Sequence, residues 1–549
     1  MNTTRLSLFL ICLAMPAARA DDSDRIAALL APAVASGGLV TIPPGDYRLD
    51  GAKPLPIPSH TTVSAHGARF HLPATLPEGA RIVLFAGEDV AHFTWQGGEF
   101  LGQVFDPARR ENTWEPNANT RVFEINTATE GGTRDILFRD VRSDGIAGAV
   151  IGVHGRSRPG SESAVEAWAE RITLENCTLL RSGKFMWDYG YLWQILTWPE
   201  AYEPWEVERA RRYFRMDLTR PAAMADGDDR VVLDHRTPPI PVSQTAEPAG
   251  ALTFLGAKLP GNLIRGRQYF VVDSGADFLR ISDRPGGKPI RFAGSAGADT
   301  LVAHNVFATY LAAYAPTGGG PGKGAFDITG ARSVRVTGCR LSALGDTMHI
   351  QRCQDILFAH NHILGSRMGA FFLAEYCRNA TITGNLVDGT NGSRVVSVEK
   401  SCTDVTMTGN TFRNGGRGAW INQPVNFVLV GNVFVNNTTK NEPDLRRGRR
   451  AYQTGEPGAF PELYFTLHEE GGTYGPVIVR DNVFQLGDAA PAEAVTFAPN
   501  GHDLSMTGNV FQTKAATIVV DPSCRRARVE DNIGAKTVPK PVDFHLGRR

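Results

Sequence analysis

The chain carries no excess of either charge. Its 57 Lys and Arg equal its 57 Asp and Glu, which removes the general positive field that non-specific nucleic-acid binding depends on. Long apolar runs are missing from the mature chain, so no helix of it is expected to insert in a membrane. The one apolar stretch, Leu6 to Met15, follows Arg5 and precedes Ala18-Arg19-Ala20. It is too short for a span and reads as a signal peptide over residues 1–20, which implies a secreted or periplasmic protein. Cysteine is scarce, and of the seven, Cys12 leaves with the signal. Cys353, Cys377 and Cys402 end the segments HIQRC, LAEYC and VEKSC at separations of 24 and 25 residues. That even spacing fits a ladder of buried thiols better than a disulfide framework, since Cys packs as a small apolar residue. Cys524 in VDPSC takes the same position later in the chain.

What is abundant is a repeat. VTGCRL, FAHNHI, ITGNLV, MTGNTF, LVGNVF, VRDNVF, MTGNVF and VEDNIG place Cys339, Asn361, Asn385, Asn410, Asn432, Asn482, Asn509 and Asn532 at intervals of 22 to 27 residues, with one doubled interval of 50. A period of that length, built from short β-branched runs and a turn Asn, is the signature of a β-solenoid. The reading is all-β: a parallel β-helix whose coils stack by strand pairing about 4.8 Å apart. An Asn in the same turn of each coil would bond its neighbours above and below, satisfying corner groups that are otherwise orphaned.

The rest of the chain fits around the coils. Ser23 to Ser36 reads as an amphipathic capping helix through Ile26, Leu29, Leu30 and Val34, covering the open end of the bore. Coil texture runs over residues 21–190, fails over 191–325, and resumes over 326–540, leaving 541–549 as a tail. The gap reads as an inserted domain, with a helix from Glu206 to Tyr213 and short strands after it. The doubled interval carries a smaller insertion at about 437–460. The aromatics Trp187, Tyr189, Tyr191, Trp193, Trp198, Tyr202 and Trp205 read as the insertion's own core, with a sugar-stacking wall as the alternative. Arg446, Arg447, Arg449 and Arg450 read as a solvated loop, or as a grip on an acidic polysaccharide. His360 and His362 flank a ladder Asn and read as turn residues, and no metal site is proposed for them.

The opening GGLVTIPPGDYRL, together with the repeated GN-V-F turns, resembles the pectate-lyase-like and polygalacturonase-like superfamily. The resemblance covers most of the mature chain outside the insertion. It implies a right-handed parallel β-helix and a polysaccharide or oligosaccharide as partner. It transfers no catalytic residue, because neither the Asp-Asp motif of the hydrolases nor the Glu-x-Glu, Lys, Arg arrangement of the calcium-dependent lyases is present.

The site must therefore come from the coils. Strand alternation puts Ile350, Leu373, Val398, Ile421 and Leu467 in one inward row. Outward rows then hold His349, Phe372, Ser397, Trp420 and Thr466 on one side, and Gln351, Ala374, Glu399, Asn422 and His468 on the other. Arg352, Glu375, Lys400, Gln423 and Glu469 follow at the corner. The catalytic candidates are Glu399, Glu469, His468 and His349; the substrate-binding candidates are Gln351, Arg352, Glu375, Lys400, Trp420, Asn422 and Gln423. Three readings remain open. A hydrolase would use Glu399 and Glu469, two coils apart, as acid and base. A lyase would use Lys400 or His468 as base, with Arg352 or a bound calcium neutralising a uronate carboxylate. A surface protein would bind carbohydrate without turnover. No cofactor is expected under the first reading, and the sealed N-terminal end favours a monomer.

Overall fold

The computed structural model describes residues 21–542 apart from 74–80, 103–118, 160, 162, 184–218, 234–241, 243–250, 266, 268, 305–322, 344, 367–368, 390–393, 440–459, 470, 489 and 513–514. The signal segment, the aromatics from Trp187 to Trp205, the Glu206–Tyr213 helix and the Arg446–Arg450 run lie outside the described residues.

Three long sheets of 13, 12 and 13 strands run the length of the molecule. Each chain turn contributes one strand to each sheet, and neighbours within a sheet pair in parallel, as in Thr381↔Thr406 and Thr406↔Val428. This is the right-handed parallel β-helix that the repeat and the resemblance lead one to expect. The bore holds one continuous core from Ile26 to Ile518. Within it Phe412, Phe434, Phe484 and Phe511 stack with successive centroids 5.1, 4.9 and 4.6 Å apart. The helix α1 (Ser23–Ser36) lies on the first coil through Ile26, Leu30 and Ala33. Val34, expected on that face, is instead 54% exposed; the buried stripe follows i, i+4, i+7, and Val34 falls just outside it.

The asparagine ladder is continuous. Asn385 donates both its backbone N–H (3.0 Å) and its Nδ2 (2.9 Å) to Asn410 Oδ1, and its Nδ2 also reaches Phe358 O. Asn361, Asn410, Asn432, Asn482 and Asn509 repeat the pattern, each on the Asn of the next coil. The cysteines Cys353, Cys377 and Cys402 are buried free thiols in one row, and Cys524 is a half-buried free thiol.

Between the coils of Thr178–Ser182 and Lys323–Thr329 the chain builds a separate closed antiparallel barrel. Its six strands are Thr219–Ala223, Arg230–Leu233, Ala251–Leu255, Tyr269–Ser274, Phe278–Ser282 and Leu301–His304. The barrel has its own core, including Val231, Phe254, Val271 and Val302. The helix ignores the interruption: Ile151 pairs with Phe326, and Ala169 with Ala331. A Cβ on Gly183, the last residue described before the gap, would lie 2.9 Å from Lys323 O, so the chain leaves and re-enters the stack at one place.

Candidate functional site

The chemistry gathers on the outer face of the third sheet. Eight consecutive strands matter: β1 (Asn119–Asn126), β2 (Ile151–His154), β3 (Lys323–Thr329), β4 (Asp346–Gln351), β5 (Gly369–Ala374), β6 (Arg394–Val398), β7 (Ala419–Asn422) and β8 (Leu463–Thr466). Strand pairing gives one outward row of Glu124, Gly152, Asp327, His349, Phe372, Ser397, Trp420 and Tyr464. His349 and Phe372 fall in register and stack with centroids 4.9 Å apart and planes 22° apart. The row beside it holds Gln351 and Ala374 in register, and Asn422 and Thr466 in register. Glu399 follows Val398 between them, and Val398 pairs with both Leu373 and Ile421.

The last coil departs from the expected register. Ile421 pairs with Phe465, not Leu467. Tyr464 therefore stands beside Trp420, and Thr466 beside Asn422. His468 and Glu469 lie past the strand end, Glu469 exposed in the turn. Leu463, Phe465 and Leu467 share one parity, so alternation alone does not fix which of them continues the row.

The corner cluster is bound to itself. Glu375 is met by Gln351 Nε2 at 2.5 Å, Lys400 Nζ at 3.0 Å and Arg352 Nη2 at 3.5 Å. Burial would raise its carboxyl, but the Gln351 and Lys400 hydrogen bonds and the Lys400 and Arg352 charges outweigh it and hold it below the usual range. The turn changes length here. Glu375 with Tyr376, and Lys400 with Ser401, occupy the left-handed region as pairs, whereas Arg352 and Gln423 do so singly. That extra residue explains why Cys353 follows its strand one position sooner than Cys377 and Cys402. Asn422 is 1% exposed; its Oδ1 accepts from Lys400 N, and its Nδ2 donates to Thr466 Oγ1 and Leu467 O. Gln423 Oε1 accepts from His468 N at 2.7 Å. Trp420 is 8% exposed, with Nε1 on Thr466 Oγ1 and the Arg394 guanidinium 4.3 Å from its ring centroid. Asn422 and Gln423 thus knit coils together.

The reactive groups lie on the strands to either side of β5. His349 Nε2 and Asp346 Oδ2 are 3.1 Å apart on β4. Glu399, half-buried just past β6, has its carboxyl raised above the usual range. Burial is the main cause, reinforced by the Asp346 and Glu375 charges and opposed by Arg394 and His349. The residues β4 and Glu399 present are thus within electrostatic reach across β5.

Upstream lies a buried ionic group absent from the sequence reading. Lys323 Nζ is 3.0 Å and Arg121 Nη2 3.7 Å from the Asp327 carboxylate. Burial would raise Asp327, yet the Lys323 charge and its cationic neighbours hold it well below the usual range. Arg121 Nη1 donates to His154 Nε2 at 2.8 Å across Gly152, where a Cβ would lie 2.8 Å from Arg121 Nη1 and 2.9 Å from His154 Nε2. Burial pushes His154 down to about 4, so it is neutral and accepts on Nε2. These residues come from coils on both sides of the barrel, a separation that spacing cannot bridge. Arg394 and Arg417 precede or open their strands and so escape an alignment made on strand interiors. Among the described residues, no group of three or more His, Cys, Asp or Glu is placed to hold a metal ion, and no helix is long and apolar enough to cross a membrane.

The family described as "Right handed beta helix region" matches residues 319–452. No curated protein matches the sequence. Solved structures similar to this chain include the surface adhesin PfbA of Streptococcus pneumoniae, at 10% identity and TM-score 0.42, covering 94% of this chain and 90% of that one. The A-module of mannuronan C-5 epimerase AlgE6 of Azotobacter vinelandii is similar at 11% identity and TM-score 0.40, covering 95% and 96%. The endo-xylogalacturonan hydrolase of Aspergillus tubingensis is similar at 8% identity and TM-score 0.32, covering 96% and 94%. Likenesses at this level speak to no activity.

Proposed function

From a right-handed parallel β-helix with two reactive strands flanking β5, we propose an exported glycoside hydrolase that cleaves a polysaccharide on the third-sheet face. The observation that carries this reading is the pairing of Glu399, raised by burial, with the Asp346–His349 pair two strands away. Glu399, its carboxyl raised by burial, donates its proton to the glycosidic oxygen as the bond to the anomeric carbon breaks. Asp346, oriented by His349, takes a proton from the water that attacks that carbon. Their strands lie two coils apart, about 9–10 Å along the axis, with Asp346 and Glu399 at opposite strand ends, which suits the wider inverting arrangement better than the retaining one. This replaces Glu469 with Asp346 as partner of Glu399.

Elimination is disfavoured by the contacts of its candidates. Lys400 lies against Glu375, which favours the ammonium form and so opposes a role as base. Arg352 shares that carboxylate, and His468 lies beyond the strand. The N-terminal segment supports export, and the capped first coil supports a monomer. The test is a panel of neutral and uronic polysaccharides incubated with the protein. New reducing ends without an ultraviolet-absorbing double bond are expected; an unsaturated product would replace hydrolysis with elimination, and no product at all would leave a binding protein.

A further inference from the structure

The outward row of the third sheet reads His349, Phe372, Ser397, Trp420, Tyr464. Four rings are interrupted once, by the smallest side chain of the five. Phe372 is half-buried, and one of its faces is covered by the His349 ring at 4.9 Å. The other is turned toward the Ser397 coil. Its ring lies back over Gly369, where a Cβ would sit 1.6 Å from Phe372 Cε2. Any side chain there would push the ring out of line. Trp420, with Arg394 laid on it at 4.3 Å, closes the far side of the break. Ser397 lies at the base of the break: it is buried, and among the described residues its Oγ has no hydrogen-bond partner. A buried hydroxyl left unbonded is costly unless a ligand satisfies it. Glu399 follows two residues after Ser397, just past the strand end.

We infer that this break is a sugar-binding subsite of the third-sheet face. A pyranose packs its C–H face on Phe372, and one of its hydroxyls bonds Ser397 Oγ. The ligand class follows from the lining. An aromatic face calls for an apolar face on the ligand, and a buried hydroxyl beside it calls for a hydroxyl; a sugar ring offers both. This deepens the hydrolase reading and rests on it for the role of Glu399, but the binding it describes is measurable without turnover.

The experiment titrates a panel of reduced hexasaccharides (β-1,4-glucan, β-1,4-xylan, β-1,4-mannan and α-1,4-polygalacturonan) into Glu399→Gln by calorimetry. Phe372→Ala, Gly369→Ala and Ser397→Ala are then compared in the same background. Phe372→Ala should weaken binding of the bound hexasaccharide roughly tenfold. Gly369→Ala, which displaces the ring, should follow it, and Ser397→Ala should cost several-fold. Phe372→Tyr should keep binding, which guards against a loss caused by misfolding, as does an unchanged thermal midpoint. Binding of Phe372→Ala and Gly369→Ala within twofold of the parent overturns the subsite, even where Glu399→Gln has abolished turnover and the hydrolase reading stands. Phe372-dependent binding in a protein without turnover upholds the subsite and removes the hydrolase.

Discussion

Each ladder asparagine serves several buried groups at once, and this sets what its loss should cost. Asn410 Oδ1 accepts the backbone N–H and Nδ2 of Asn385, while its own Nδ2 serves Ile382 O. Asn410→Leu leaves these buried groups unbonded and should destabilise the protein by about 1–3 kcal/mol, read as a lower denaturant midpoint. An exposed substitution such as Lys536→Ala should change it far less. A second, shorter ladder ends on a carboxyl. Gly415 N–H bonds Asn437 Oδ1, and Asn437 N–H and Nδ2 both bond Glu462, with Nδ2 at 2.6 Å from Oε1. Glu462 is fully buried, and burial pushes it up to about 7 despite the Asn437 hydrogen bonds. The folded state thus holds this proton more tightly than the unfolded chain does. Its stabilisation is complete below the ordinary value of 4.5 and is lost as pH rises toward 7. Glu462→Gln keeps the Oε1 acceptor and removes the titration. Across that window the wild type should lose on the order of 3 kcal/mol relative to the variant; parallel pH-stability curves would contradict this.

At the scale of the strand, register decides what the site contains. Asn361, Asn385, Asn410 and Asn432 come at near-constant intervals, so the coil and its turn ladder were legible from spacing alone. The rows from His349 to Trp420 and from Gln351 to Asn422 were legible too, because Ile350, Leu373, Val398 and Ile421 leave one consistent parity. After Asn432 the doubled interval breaks the count, and three same-parity apolar residues let the last row slide by two, carrying His468 and Glu469 into the site on paper. Asp327, His154 and Arg121 were illegible for the same reason at larger scale, since a barrel separates His154 from Lys323. That Glu375 would bind Lys400 and Arg352 depends on left-handed corner residues, which spacing does not reveal. An added test follows from this geometry. Glu375→Gln removes the charge that favours the Lys400 ammonium. If Lys400 serves only the corner, the variant should lose stability with little change in kcat; a kcat collapse matched by Lys400→Ala would return Lys400 to the chemistry.

At the scale of the molecule, a continuous solenoid carries a self-contained barrel on one coil. The first and last barrel strands pair with each other, as in Arg220↔Val302, and Gly183 lies against Lys323 where the helix resumes. Replacing 184–322 with a short flexible linker should leave the helix folded, with its strand signal in circular dichroism intact. We expect it to weaken polysaccharide binding or change chain-length preference; unchanged kinetics would make the barrel dispensable for the reaction. The central claim is narrower than the architecture: one half-buried carboxyl, raised by burial and two strands from the Asp346–His349 pair, is the proton donor. Its most direct test is the turnover of Glu399→Gln on the polysaccharide that the wild type cleaves, read as reducing ends released, beside the affinity for that polymer. The account predicts a loss of about 10²–10⁴-fold in kcat with affinity retained, because the amide fills the same space and has no proton to give. Turnover within about tenfold of wild type is less than the loss of a general acid produces, and it would contradict the account.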